Sequence, residues 1–525
     1  MDIISYIEIN FVGGKNMEMN QKRASGGYMQ VPILDKTVTS EISGDFTLPD
    51  YQPDIKRLLR VTANVLPPAT YVGNHQAEFE GSVDYYVLYT GSDNEIYCAP
   101  LSADYKVNIP IDPREEEGML NPIADALITA DMASGRVISP KKLNVKCRLR
   151  TRSTIYGELA MEDGFESDAC DIELLGGMAR VMRASFGVGD RLSVTDEMII
   201  DNREGEVRVI AGEGNALIGE VTVADGSVTC RGDLYLKLLM CRENGGVPYS
   251  ATRKLPFSGS VAMDGARAGG SAMAKATVCD MSITVEEGRI LTEIGLLCEA
   301  YCCAAEEVYY VKDMYSTCRR TECEYRTVEV LGKGNAACSN FTLSDSVTLD
   351  EAGIGQGAVL IDAVGVAIPE EYHFENDKCM VEGRARFSIL YQKEGEYAVS
   401  EVEMPFRYEM KMQGEMSRAA VETRVVSVRT RMDGERLGVD AEIGVCMLVR
   451  QMKEEKMLDS VSFGDEISRS KGDFVICYPA KDDSVWSVAK RYGTPLKRVI
   501  ENNGLSLDMA SDSADSLNGV HHLTV

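Results

Sequence analysis

The sequence predicts a mainly β protein, with three repeated antiparallel β-sandwich-like domains followed by a small βααβ domain. Three observations carry this. A glycine followed by an apolar, aromatic-rich run returns at Gly81, Gly232 and Gly383, a constant spacing of 151 residues. The register extends past the glycine: Tyr85, Leu236 and Phe387 share one column, Leu88, Leu239 and Leu390 a second, and Tyr89, Met240 and Tyr391 a third. Four columns at one offset point to duplication, and the partly alternating run after each glycine reads as a β-strand. From about residue 471 the pattern changes to short helices with capping residues.

Composition sets the outer bounds. At 525 residues the chain is long enough for roughly three to four domains, and 44% apolar residues without long polar tracts mark it as globular throughout. The balance of 82 Asp and Glu against 55 Lys and Arg, a formal charge of −27, works against binding a phosphate backbone, so no nucleic-acid partner is expected. Residues Met1 to Glu8 lack the basic start and apolar core of a signal peptide, and no stretch holds ~18 uncharged apolar residues. A cytoplasmic protein without a transmembrane segment is the expectation. Its fifteen cysteines are read as reduced, buried thiols. The densest group, Cys298, Cys302, Cys303, Cys318, Cys323 and Cys338, contains no CxxC knuckle, so no metal site is expected there.

Taken in order, residues 1–29, with Gly13-Gly14 and Gly26-Gly27, read as a flexible leader. The first repeat is placed at 30–177, the second at 178–328 and the third at 329–470. In the first, Leu48 to Ile55 is turn-rich, Lys56 to Val65 is an apolar run, and Pro67-Pro68 ends it. After the Gly81 strand, Gly91-Ser92-Asp93-Asn94 turns the chain into a return that ends near Pro110. Matching returns end near Pro256 and Pro405, as proline at an edge or terminal position allows. Each repeat closes with a hairpin, signalled by Gly135-Arg136, Gly288-Arg289 and Asp433-Gly434. The strands that follow carry Cys147, Cys298 and Cys446, read as inward-facing core thiols.

Residues 471–525 open with a short strand at Phe474 to Tyr478. Asp483-Ser484 supplies cap chemistry for a helix from Val485 to Tyr492, with Val485, Ala489 and Tyr492 on one face. Gly493 stops it, and Thr494-Pro495 starts a second helix at Leu496 to Ile500. Leu523 to Val525 forms a closing strand. Trp486, the only tryptophan, is read as a core anchor between helix and sheet. Lys490, Arg491, Lys497 and Arg498 form a basic patch across both helices that can steer an acidic partner.

The run from Tyr478 through Asp483-Ser484-Val485-Trp486-Ser487-Val488-Ala489-Lys490-Arg491-Tyr492-Gly493 to Ile500-Glu501-Asn502-Asn503-Gly504-Leu505 closely resembles a LysM module. Upstream, the triplicated β-unit, with Pro53-Asp54-Ile55 and the Gly81 strand, resembles the SPOCS repeat of SipL-like spore-coat proteins. Three repeats followed by LysM is the order of that family in endospore-forming, Clostridia-like bacteria. The resemblance implies a non-enzymatic scaffold in the mother-cell cytoplasm, at the forespore outer surface, whose LysM module binds the spore-coat morphogenetic ATPase. LysM modules in general bind N-acetylglucosamine-containing glycan such as peptidoglycan, here through Asp482, Asp483, Ser484 and Val485 and through Asn502, Asn503, Gly504 and Leu505. That makes a cortex glycan-binding protein the alternative. Asp482 stands where the module usually has glycine, and Asp508, Asp512 and Asp515 add charge, which counts against sugar at this groove.

A third reading is a polymerising coat component whose β-units pair through exposed edges. Catalysis finds no foothold in the sequence. His75, His373, His521 and His522 are scattered, and no Gly-x-Ser-x-Gly elbow, HExxH or Walker loop occurs. Gly353-Ile354-Gly355-Gln356-Gly357 lacks a following Lys-Ser/Thr and reads as a turn. No catalytic residue and no cofactor is expected.

Overall fold

The computed structural model describes residues 27–161, 171–200, 206–243, 246–286, 288–412, 415–467, 475–506, 512–513, 517 and 520–525. Most of the leader, with Gly13-Gly14, lies outside them, and its expected end is displaced because the first strand begins at Tyr28. The chain is mainly β and its sheets are antiparallel, as the sequence predicts. No described helix is long and apolar enough to cross a membrane.

A first set of elements comprises β1 (Tyr28–Thr47), β2 (Ile55–Val65), β3 (Ala69–Gly73), β4 (Gln76–Gly91), β5 (Ile96–Pro110), the short α1 (Pro113–Glu116), β6 (Met119–Ser139) and β7 (Lys142–Ala160). Strands β1-β7-β6 form one sheet, and β4 pairs with β2, β3 and β5 in another. The next set holds β8 (Ile172–Val188), β9 (Leu192–Ile199), β10 (Val207–Ala224), β11 (Ser227–Arg242), β12 (Tyr249–Ala262), β13 (Ser271–Glu286) and β14 (Arg289–Ser316). Here β10-β11-β12 is one sheet, and β14 pairs with β13, β8 and β9. The last set has β15 (Arg319–Thr348), β16 (Val359–Glu375), β17 (Lys378–Lys393), β18 (Glu396–Lys411), β19 (Arg418–Asp433) and β20 (Arg436–Glu466), in sheets β15-β20-β19 and β16-β17-β18. In every set the opening strand pairs with the closing one, and the middle strands make the second sheet. Because β8 joins β14 and β15 joins β20, the changes of set fall before Ile172 and before Arg319, earlier than residues 177 and 328.

Local sequence explains the pairing. Along β5, Tyr105, Val107 and Ile109 are buried while Lys106 and Asn108 are exposed, the alternation of a strand with one wet face. Gly81, Gly232 and Gly383 lie opposite Tyr105, Phe257 and Phe406 on the next strand. A Cβ at Gly81 would stand 2.7 Å from the Tyr105 hydroxyl, so the repeated glycine makes room for an aromatic ring laid across it. Pro256 and Pro405 sit inside β12 and β18 rather than at their ends, which is tolerated because both are edge strands. Gly135 is not a turn. It lies within β6, where a Cβ would meet Leu58 of β2 at 2.8 Å, and the chain reverses after Ser139 instead.

The two sheets of each set face one another across an apolar core, with Tyr85 and Cys147 in the first, Leu236 and Cys298 in the second, and Phe387 and Ile443 in the third. Cys147 and Cys298 are buried thiols. Cys446 departs from expectation: it forms a disulfide with Cys338, directly opposite on β15. Spacing in sequence gave no hint of a pair brought together by strand register.

Position 88 and its equivalents show how the sets meet. Tyr85, Val87 and Tyr89 point into their own core, so Leu88 points out of it. Leu88, Leu239 and Leu390 are nevertheless buried, all in one cluster with Ile96, Ile210 and Ile361. A second shared cluster holds Leu127, Tyr156, Tyr301 and Leu448. A third, with Val31, Leu159, Val181, Val308, Val330 and Met457, is built from the ribbons β1–β7, β8–β14 and β15–β20. Each cluster takes residues from all three sets.

Polar contacts cross the same junctions. Asp362 of β16 takes Arg60 of β2 at 2.9 Å and Lys237 of β11 at 3.1 Å. Arg450 of β20 reaches Asp125 of β6 at 3.2 Å, with both side chains nearly inaccessible. Lys275 pairs with Glu299 at 3.0 Å and donates to the Ile128 carbonyl, while Arg424 donates to the Ala276 carbonyl. These last donors cover carbonyls of the edge strands β6 and β13, sites that would otherwise be open to another strand.

Candidate functional site: the C-terminal module and its seat

The C-terminal module runs β21 (Ile476–Cys477), α2 (Val485–Tyr492), α3 (Leu496–Asn503) and β22 (Leu523–Thr524), with β21 antiparallel to β22. Ser484 caps α2 through a capping box. Its hydroxyl accepts from the Ser487 N–H at 3.0 Å, and the Ser487 hydroxyl accepts from the Ser484 N–H at 2.9 Å. Gly493 and Gly504 close α2 and α3 in the left-handed region, at φ 61° in both cases. The N-cap of α3 is Pro495, so the helix starts one residue later than a first-turn proline would put it.

Val485, Trp486, Val488, Ala489, Val499 and Ile500 bury the apolar faces of the two helices against Cys477 and Leu523. Two further members of that cluster, Leu175 and Tyr315, come from β8 and β14. The module is therefore seated on the far end of the β8–β14 ribbon. Trp486 anchors this seam rather than only the module's own helix-to-sheet contact. Its ring meets Tyr315 edge to face at 5.0 Å, and its Nε1–H donates to Asp313 Oδ2 at 2.8 Å. Lys490 Nζ approaches Asp313 Oδ1 at 2.5 Å, the Tyr325 hydroxyl donates to the same oxygen at 2.8 Å, and the Tyr315 hydroxyl donates to the Thr494 carbonyl at 2.8 Å. A bulge between Val311 and Asp313 re-aims the strand at this point. Burial works against ionising Asp313, but the hydrogen bonds from Lys490, Trp486 and Tyr325 outweigh it and hold the carboxyl below its usual range.

The residues singled out in the sequence are divided by this arrangement. Lys490 is held by Asp313, and Arg491 donates to Asp483 at 3.0 Å within the module. Asp483 also accepts from the Ala480 N–H at 2.9 Å, and Asp483, Ser484 and Val485 are all buried. Asn503 is spent internally: its amide donates to the Val499 and Thr524 carbonyls, and its carbonyl accepts from the Thr524 N–H at 2.7 Å. Leu505 packs on the module core. Lys497, Arg498, Asn502 and Gly504 are exposed, with Lys497 only 3.8 Å from Glu501. Of the four cations, Lys490 is drawn into the seam by Asp313, while Arg491, Lys497 and Arg498 stay exposed. Asp313 and Tyr315 were not legible as site residues, since an acid and a tyrosine near a strand end are ordinary in a chain this acidic.

A cavity of about 680 Å³ lies where the three sets meet. Arg60, Lys275, Arg386 and Arg424 stand on its wall with Glu401 and Glu422. Arg424 pairs with Glu422 on the wall at 3.3 Å, while Arg386, Arg60 and Lys275 turn to Glu403, Asp362 and Glu299 beside it, so each of these cations has a carboxylate partner.

Among known protein families, the model of the SipL, SPOCS domain family matches residues 207–286. The match begins on the first residue of β10 and ends on the last of β13. No curated protein and no solved structure matches the chain. The domain match supports a SipL-like protein and suggests a role in sporulation or the spore coat, with protein partners.

Proposed function

We propose that this chain is a non-enzymatic scaffold of endospore coat assembly, with three SPOCS-like β-sandwich domains and a LysM-like module at residues 471–525. In this reading it works in the mother-cell cytoplasm at the forespore outer surface, and the module links the coat morphogenetic ATPase to that surface. The observation that carries it is the family match over β10–β13, together with the recurrence of the same strand order in the sets on either side. A middle sheet flanked by a first and a last strand that pair occurs once with the family's sequence and twice more without it, three-stranded in the last set and four-stranded in the first, where β2 and β3 both pair with β4.

The strand–helix–helix–strand order and the two left-handed glycine caps support the LysM-like reading of the C-terminus. Burial of Asp483, Ser484 and Val485 leaves Arg491, Lys497, Arg498, Asn502 and Gly504 as the exposed part of the expected surface. Two arginine or lysine side chains beside a short amide-bearing loop suit an acidic protein face, as electrostatic steering requires.

The test uses the full-length chain and its Lys497→Glu/Arg498→Glu variant, each titrated against the coat ATPase and against N-acetylglucosamine oligomers. Binding of the ATPase that weakens in the variant, without sugar binding, supports the scaffold. Sugar binding without ATPase binding replaces it with the glycan-binding alternative.

A further inference from the structure

We propose that the Trp486–Lys490 face of α2 is a strand-reading surface. It takes an extended segment that presents a carboxylate and, two residues on, an aromatic hydroxyl. In this chain it is occupied in cis by Asp313-Met314-Tyr315.

The chemistry of the seat argues for recognition. Trp486 and Lys490 are one helical turn apart, and their N–H groups converge on the two oxygens of a single carboxylate. Residues two apart on a strand share a face, so Tyr315 falls beside Asp313, against the indole. Its hydroxyl then answers the Thr494 carbonyl just beyond the end of α2. Two side chains of one strand therefore satisfy an indole N–H, an ammonium and a carbonyl on the module, each of which is costly to bury alone. Specificity follows from that fit. Asparagine at the first position would leave Lys490 without a counter-charge, and phenylalanine at the second would leave the Thr494 carbonyl unanswered. A partner strand with the same pair of groups competes with the ribbon for the same face, so the intact chain keeps this surface covered until such a competitor arrives. This inference stands on the seat's geometry and does not depend on the module's reading as LysM-like.

The chain's single tryptophan makes the seat directly observable. Tryptophan emission and its quenching by acrylamide are compared in the full-length protein and in Asp313→Ala and Tyr315→Phe variants, with near-native circular dichroism as the folding control. The expected result is a red shift and increased quenching in both variants, larger for Asp313→Ala. A synthetic peptide of residues 309–317 is then titrated into the Asp313→Ala chain. It should restore the blue-shifted, protected emission saturably, while a peptide carrying Asn and Phe at the two positions should not, and the parent chain, whose tethered ribbon competes, should bind a fluorescently labelled copy of the peptide only at higher concentration. Emission unchanged in both variants overturns the proposal, as does an exposed indole that ignores the peptide. Should Asp313→Ala fail to fold, the Asp313→Lys/Lys490→Asp exchange replaces it: recovery of the protected emission supports the pairing, and its absence in a folded chain counts against it.

Discussion

Arg60 and Asp362 meet at 2.9 Å across 302 residues of chain, and Lys237 takes the other oxygen of the same carboxylate. One acid from the last set of strands therefore holds a cation from each of the other two. Replacing it with alanine strands the buried Arg60 and leaves Lys237 only Glu213 for a counter-charge, and breaking a buried pair in this way costs roughly 3–5 kcal/mol. Urea unfolding of Asp362→Ala should show a lowered midpoint with little change in slope. A midpoint equal to the parent's would mean that the triad is not a joint between the sets.

The same group sets an acid limit. Burial disfavours the charged form of Asp362, but Lys237 and Arg60 outweigh it and bring the pKa from 3.8 down to about 2. Glu213, which shares Lys237 at 3.2 Å, and Glu401, which feels the charge of Arg60, also face the pair. Because the folded value is the lower one, the stability it contributes is complete above pH 3.8 and is lost as the pH falls toward 2. The size is about 2 kcal/mol. Acid titration of stability should be flatter over that window in Asp362→Asn than in the parent, and parallel curves would assign the acid sensitivity elsewhere.

Leu390 is fully buried in the cluster it shares with Leu88 and Leu239. Truncating it to alanine should cost about 2–5 kcal/mol, the range for a core leucine. Leu239→Asp places a charge at the meeting point and should loosen the sets from one another while each keeps its own core. Limited proteolysis that newly cleaves between sets, before any strand within a set is cut, is the expected pattern.

Equivalent glycines should differ in their tolerance. At Gly383 an added Cβ runs into the Ile368 carbonyl and the Phe406 ring, so backbone has to move. At Gly81 the nearest atoms belong to the Tyr105 side chain, whose hydroxyl donates to the Leu66 carbonyl and can be given up. Gly383→Ala should therefore destabilise by about 1–3 kcal/mol, as overpacking does, and Gly81→Ala by no more than the roughly 1 kcal/mol of one hydrogen bond. Equal thermal shifts would contradict this.

What could be read in the sequence was local. The Gly81, Gly232 and Gly383 columns, the alternating strands and the Ser484 cap each announce themselves within a few residues. The junctions do not. Arg60, Lys237 and Asp362 look like surface charge until three distant strands are brought side by side, and Lys490 looks like part of a solvated patch until Asp313 is placed beneath it. Gly135 shows the opposite failure, where a residue with a local meaning, a turn, was used for close approach of β6 to β2. One signal was available: Leu88 lies out of phase with Tyr85, Val87 and Tyr89, and a strand apolar on both faces is covered on both.

Asp125 and Arg450, buried together, are separated by 325 residues. At a synthesis rate of roughly 5–20 residues per second, the carboxylate leaves the ribosome on the order of 15 to 65 s before its counter-ion exists. The earliest-made strands are thus the last to be completed. Until Arg450 arrives the nascent chain carries an acid without its counter-ion, and until Leu390 is made Leu88 and Leu239 lack part of their cover, which makes it a client for whatever shields unfinished chains in the cell that makes it.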